Sequence, residues 1–197
     1  MNRAITLCGL VLAGGRSSRM GHDKAALVHP DGRTMVQRCC DLLREAGCST
    51  VAVSLRHDQE LPRGLDEVVI VRDPPRATGG PLAGIVAGMH SNADSDWLVV
   101  ACDLPRLDLR TLTHLIDSTL PSDRFLAYRS ESDGLPEPLA AYYAAAALPI
   151  WEAALAEDLR CPRKILIREN CRLIAAVTPR ALENANTPQD WASAILP

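Results

Sequence analysis

The sequence predicts an α/β fold: a doubly wound, mostly parallel sheet with helices on both faces. Two observations lead there. Short apolar runs alternate with longer amphipathic stretches along nearly the whole chain, the order of repeated β-α units. Several apolar runs, such as LCGLVLA and WLVVAC, are continuous rather than alternating, as strands covered on both faces should be.

Taken in order, strands are expected at 6–13, 50–54, 67–71, 97–102, 124–128, 138–142 and 173–177, and helices at 34–46, 81–90, 109–118, 144–157, 162–170 and 188–195. Gly47 stops the first helix, and Pro81, Pro162 and Pro188 each stand where a helix begins, a position that needs no N–H donor. The polar stretch RSESDGLPE, 129–137, reads as a mobile loop. No repeat, low-complexity segment or linker divides the 197 residues, so a single domain, 1–197, is expected.

Composition narrows the function. With 47% hydrophobic and 23% charged residues the chain is an ordinary globular one, and with 4% aromatics its core must be aliphatic. A net charge of −3 argues against general nucleic-acid affinity, which needs a basic face. Seven cysteines form no C-x-x-C pair. An odd count with no signal peptide fits reduced thiols in a cytoplasmic protein, with Cys8, Cys39 and Cys102 as small core hydrophobes. The apolar N-terminal run ends at Gly14-Gly15-Arg16, too short to cross a membrane.

The chemistry gathers in LCGLVLAGGRSSRMGHDKAAL, 7–27. An apolar strand runs into Gly14, Gly15 and Gly21 with Arg16, Arg19, His22 and Lys24. Glycines admit close backbone approach, and exposed N–H groups beside cations suit phosphate. The spacing fits neither G-x-x-x-x-G-K-[ST] nor G-x-G-x-x-G. The loop nonetheless sits at the carboxyl end of a first strand, where open α/β sheets bind ligands. A tight turn with solvated arginines would explain the glycines but not Lys24.

In WLVVACDLPRLD, Asp103 ends a buried strand. A carboxylate there, beside a polyphosphate site, is a natural Mg2+ ligand, since that ion takes few protein oxygens and completes its shell with phosphate and water. Asp108, just before a helix, reads better as an N-cap. Asp73 ends another strand, and Gly79-Gly80-Pro81 after it opens a helix of small residues, which offers free N–H groups, while Gly84 and Gly88 suit close helix–sheet packing. Thr187 and Pro188 cap and begin the last helix, with Asn184 and Asn186 within reach of the site. Glu137 reads as surface charge, and the five histidines form no metal-ligand cluster.

In order, LAGGRSSRMGHDKAAL, GGPLAGI, VVACDLP and NANTPQD resemble the molybdenum cofactor guanylyltransferases of the MobA-like NTP transferase family, over nearly the whole chain. The resemblance implies a Rossmann-like nucleotidyltransferase fold. It implies that Leu12, Ala13 and Gly14 contact the nucleotide, that Lys24 contacts its phosphates, that Asp73 helps hold GTP, and that Asp103 binds nucleotide and Mg2+. Lys24 and Asp103 would be the catalytic pair. The implied partners are GTP and Mo-molybdopterin, with transient contact with proteins that deliver or accept the molybdenum cofactor. Such enzymes often carry Asn at the end of the second strand, where this chain has Ser54. Serine lacks the amide's paired donor and acceptor, so that contact is not carried over.

The implied reaction is attack by the terminal phosphate of Mo-molybdopterin on the α-phosphorus of GTP. A phosphate is already anionic at neutral pH, and the site needs alignment and charge neutralisation rather than a strong base. Two other readings stay open at this level. One is nucleotidyl transfer to another phosphorylated acceptor, of the molybdopterin cytidylyltransferase or sugar-phosphate type; the other is a nucleotide-binding regulator without turnover.

Overall fold

The computed structural model describes residues 6–15, 24–60, 62, 64–73 and 80–195. Arg16, Arg19, Gly21, His22 and Gly79, singled out above, lie outside the described residues. Among the described residues there are seven strands: β1 (Leu7–Leu12), β2 (Thr50–Leu55), β3 (Val69–Arg72), β4 (Asp96–Ala101), β5 (Phe125–Arg129), β6 (Pro136–Tyr143) and β7 (Arg172–Ile174). Each falls on an expected apolar run. They make one sheet in the order β3-β2-β1-β4-β6-β5-β7.

Every pairing is parallel except those of β6, which runs against both β4 and β5. The reversal has a local cause. The chain passes from β5 to β6 through a tight turn instead of a crossover helix, and such a link can only join antiparallel strands. The Gly134 N–H donates to the Ser130 carbonyl at 2.9 Å and the Ser130 N–H to that of Leu135 at 2.8 Å. The stretch read as a mobile loop is this hairpin turn, and Arg163 ties it further to Asp133 at 2.9 Å.

The described residues form six α-helices, five in the connections between strands and the last after β7: α1 (Met35–Glu45), α2 (Gly80–Ser91), α3 (Leu109–Asp117), α4 (Leu148–Ala156), α5 (Pro162–Arg168) and α6 (Pro188–Ile195). Their ends follow from side-chain chemistry. Thr34 and Gln37 close a reciprocal capping box on α1. Gly47, at φ +96°, ends that helix, with its N–H and that of Cys48 returning to the Arg44 and Leu43 carbonyls. Asp108 caps α3 as expected, accepting from the Thr111 N–H at 2.8 Å. The helix expected over 144–157 is a 3-10 turn, Ala145–Ala147, followed by α4 with Pro149 in its first turn.

The two faces of the sheet carry separate cores. Val11, Val53, Leu98 and Val100 pack with Leu43, Leu112 and Leu115 of α1 and α3. Leu10, Trp97, Val99 and Phe125 pack with Leu82, Ile85, Trp151 and Ile165 of α2, α4 and α5. Alternate residues of one strand thus enter opposite cores, and this is why the runs are apolar throughout. Five of the seven cysteines are buried and all are free thiols, consistent with their use as small core hydrophobes.

The order β3-β2-β1-β4 means that the chain leaves β1 in one direction and returns on its other side with β4. A crevice opens outside the carboxyl ends of two strands where such a reversal occurs. The segments after β1 and β4 are those that carry Lys24 and Asp103.

Candidate functional site

The backbone ladder runs past the ends of the strands and sets this edge. The Ala13 N–H donates to the Ser54 carbonyl at 2.9 Å, the Cys102 N–H to that of Leu12 at 3.2 Å, and the Asp73 N–H to that of Leu55 at 3.1 Å. Leu12, Gly14 and Asp103 therefore come out side by side at one end of the sheet, with Asp73 at the same end beyond β2. The Leu12 side chain lies under α2, and Ala13 is buried with both backbone polar groups engaged, its carbonyl accepting from Gln59 at 3.0 Å. Leu12 and Gly14 are each partly exposed on either side of buried Ala13, and Gly15 is exposed.

Lys24 is delivered to the same edge by a 3-10 turn, Lys24–Ala26, whose middle residue Ala25 is fully buried. Its Nζ donates to Asp103 Oδ2 at 3.1 Å and to Asn186 Oδ1 at 2.7 Å. Asn184 Nδ2 donates to the other oxygen of Asp103, Oδ1, at 2.8 Å. The segment carrying both asparagines is docked onto β4's tip through the Ala185 N–H, which donates to the Asp103 carbonyl at 2.9 Å. Ala185 itself is buried, and this turns its two neighbours outward.

The start of α6 fixes that segment from the other end. Asp190 accepts from the N–H groups of Asn186 and Thr187 at 3.0 and 2.9 Å, and its own N–H donates to Thr187 Oγ1 at 3.1 Å, a reciprocal cap. The Thr187 side chain, then those N–H groups, then Lys24 hold the Asp190 carboxyl below its ordinary range. The structure thus brings Lys24 and Asp103 together as expected and adds Asn184 and Asn186 as their direct partners. Sequence reasoning gave those two residues only a marginal place; their one signal was the NANTPQD run itself.

Asp73 stands apart from that cluster. Burial pushes its carboxyl above the usual range, countered by the nearby Arg56 guanidinium, and its Oδ1 is buried with no hydrogen-bond partner among the described residues. A carboxylate oxygen in that condition is costly to keep, and a ligand donor would relieve it. Ser54 is placed differently from the contact considered for it. It is 3% exposed and lies under α2, where a Cβ on Gly84 would come within 2.5 Å of its Oγ. A short side chain here serves the close approach of α2.

Among the described residues no three His, Cys, Asp or Glu side chains converge on one point. What the described residues of the edge offer is one carboxylate paired with a lysine, Asp103 with Lys24, and a second, Asp73, set apart from it. That donor set fits a hard divalent cation whose remaining ligands are phosphate and water, and it does not fit zinc.

Residues 9–173 match the family described as MobA-like NTP transferase domain. A molybdenum cofactor biosynthesis bifunctional protein of Synechocystis sp. is 34% identical over 185 residues, 94% of this chain. The chain spans about half of that protein's length, 52%. A Bacillus cereus protein named "Probable molybdenum cofactor guanylyltransferase" is 33% identical, with 94% of each chain covered. Among solved structures, molybdopterin-guanine dinucleotide biosynthesis protein A of Archaeoglobus fulgidus shares the fold with a TM-score of 0.71 at 22% identity, covering 95% of this chain and 96% of its own.

Proposed function

We propose that this chain, which belongs to the MobA-like NTP transferase family, transfers GMP from GTP to the terminal phosphate of Mo-molybdopterin. The products are molybdopterin guanine dinucleotide and pyrophosphate. The observation that carries the reading is the junction of Lys24, Asp103, Asn184 and Asn186 across the tips of β1 and β4. It sits where an open α/β sheet binds nucleotides, and it holds the two residues that the motifs assign to phosphate and metal.

In this reading Leu12, Ala13 and Gly14 line the nucleotide, with Gly14 bringing the backbone close to it. Lys24 neutralises the phosphates, and Asp73 accepts a hydrogen bond from GTP with the oxygen that lacks a donor among the described residues. Asp103 would hold Mg2+. Bound there, the ion supplies charge neutralisation on the triphosphate and polarisation of the α-phosphorus. Asn186 keeps Lys24 within the cleft, and Asn184 orients the Asp103 carboxylate. No general base is needed, because the attacking phosphate is already an anion; alignment of two polyanions is the main task.

Residues 1–197 would form one nucleotidyltransferase domain, and the single sheet that runs through the described residues supports this. The chain would act in the cytoplasm, in transient contact with proteins that deliver or accept the molybdenum cofactor. No described helix is long and apolar enough to cross a membrane. Calorimetry with Mg2+ and each of GTP, CTP and ATP tests the base assignment. GTP is expected to bind tightest, and CTP binding as tight as GTP would refute guanine choice.

A further inference from the structure

Beyond the residues that face the cleft, the loop after β2 holds the glycine turn from behind. Gln59 is 5% exposed. Its Nε2 donates to the Ala13 carbonyl at 3.0 Å and its Oε1 accepts from the Arg56 N–H at 3.1 Å. Arg56 Nη1 donates to the carbonyls of Gly14 and Gly15 at 3.1 and 2.8 Å. Arg72, at the end of β3, fixes this loop in turn: its Nη1 donates to the carbonyls of Arg56 and Gln59, both at 2.9 Å.

Three consecutive carbonyls, those of Ala13, Gly14 and Gly15, are thus engaged by one side-chain pair. In a trans peptide the N–H of the next residue points opposite to the carbonyl. Holding the Ala13 and Gly14 carbonyls toward Gln59 and Arg56 therefore directs the N–H groups of Gly14 and Gly15 to the other side. Successive N–H groups turned the same way are what a phosphate-binding concavity needs. The close fit of the parts agrees: a Cβ at Gly14 would lie 3.3 Å from the Arg56 backbone nitrogen, so the clamp and the turn are in contact along the backbone.

We propose that Gln59 and Arg56 are positioning residues that aim the peptide N–H groups of the glycine turn at the triphosphate. The proposal rests on the nucleotide-binding reading above. Neither residue touches the substrate; both act through the backbone of 13–15.

Gln59 carries no charge, so replacing it changes the aim of the peptides without changing the local field. The test is calorimetry of Gln59→Met with three probes: GTP, inorganic tripolyphosphate and guanosine. Affinity for GTP and for tripolyphosphate is expected to fall about tenfold, the size of one well-made hydrogen bond, while guanosine binds within about twofold of wild type. In turnover, KM for GTP rises by a similar factor. Arg56→Met is expected to give the same pattern, with Arg56→Lys restoring most of the loss because it keeps a charge and a donor. It also serves should Gln59→Met fail to fold. Unchanged binding of GTP and tripolyphosphate in a folded variant overturns the proposal, as does an equal loss for guanosine. Wild-type protein that binds neither GTP nor tripolyphosphate would instead overturn the nucleotide reading itself.

Discussion

Lys24 Nζ lies 3.1 Å from Asp103 Oδ2, and the two residues are 79 positions apart in the chain. One follows β1 and the other follows β4, so their meeting depends on those strands being neighbours in the sheet. Their side chains are 14% and 21% exposed, low enough for the pair to matter and open enough for a ligand to enter. In this structure each is the ion partner of the other; in the proposed reaction, phosphate and a cation would take their places.

Lys24→Ala should therefore raise KM for GTP and depress kcat, since negative charge grows on the leaving pyrophosphate. A charge-assisted contact of about 1.5–3 kcal/mol corresponds to roughly ten- to more than a hundredfold. Steady-state kinetics check this, and wild-type values would take Lys24 out of the phosphate site.

Asp103→Asn keeps the shape of the side chain and removes the charge that a hard cation requires. The expected outcome is a folded protein whose turnover falls by about two orders of magnitude or more and whose response to Mg2+ is lost. Activity against Mg2+ concentration reads this, with circular dichroism as the folding control. A folded variant with an unchanged Mg2+ response would move the metal to another carboxylate, Asp73 first.

The asparagines give a graded prediction. Asn186 accepts from Lys24 and Asn184 donates to Asp103, so Asn186→Ala should act on GTP affinity and Asn184→Ala on the Mg2+ requirement. Each loses one exposed hydrogen bond, worth about 0.5–1.5 kcal/mol, or some two- to tenfold. Identical effects of the two variants on both readouts would count against separate roles.

Far from the site, Asp123 and Arg172 test the fold's electrostatics. Arg172 Nε donates to Asp123 Oδ1 at 2.9 Å, and this contact holds the Asp123 carboxyl below its ordinary value of 3.8. A carboxylate with a lowered folded pKa stabilises the fold fully above its unfolded pKa and loses that contribution as pH falls through the folded one. Arg172→Ala should cost about 1–2 kcal/mol near neutral pH, taken low because the guanidinium is 35% exposed. Wild type should converge on the variant as pH drops below about 4. Denaturant melts across that range decide it; a gap that persists at low pH would remove Asp123 ionisation as its source.

Most of the fold was legible because its strands are covered on both faces. A run such as WLVVAC can be little else, and the caps at Asp108 and Thr187 are written in side chains next to the helices they start; Thr34, expected inside the first helix, is its cap. The reversed direction of β6 was not legible: it depends on a turn at 130–135 whose polar composition also suits an open loop. At the site, Lys24 and Asp103 stood out through residue type and place. Arg56, Gln59 and Arg72 did not, because what they bind is backbone carbonyls, and carbonyls leave no mark in a sequence. Asn184 and Asn186 were half visible, since a capped helix start already explained their segment.

In the proposed reaction this edge of the sheet joins GMP to the phosphate of Mo-molybdopterin. The most direct measurement is to incubate the protein with Mo-molybdopterin, Mg2+ and each of the four NTPs in turn, following pyrophosphate release and the mass of the product. Expected are release of one pyrophosphate per product with GTP, a product heavier by one GMP unit, and little turnover with the other three. A cytidine adduct formed as readily as the guanine one, or pyrophosphate release without any nucleotidyl adduct of molybdopterin, would contradict the proposed reaction.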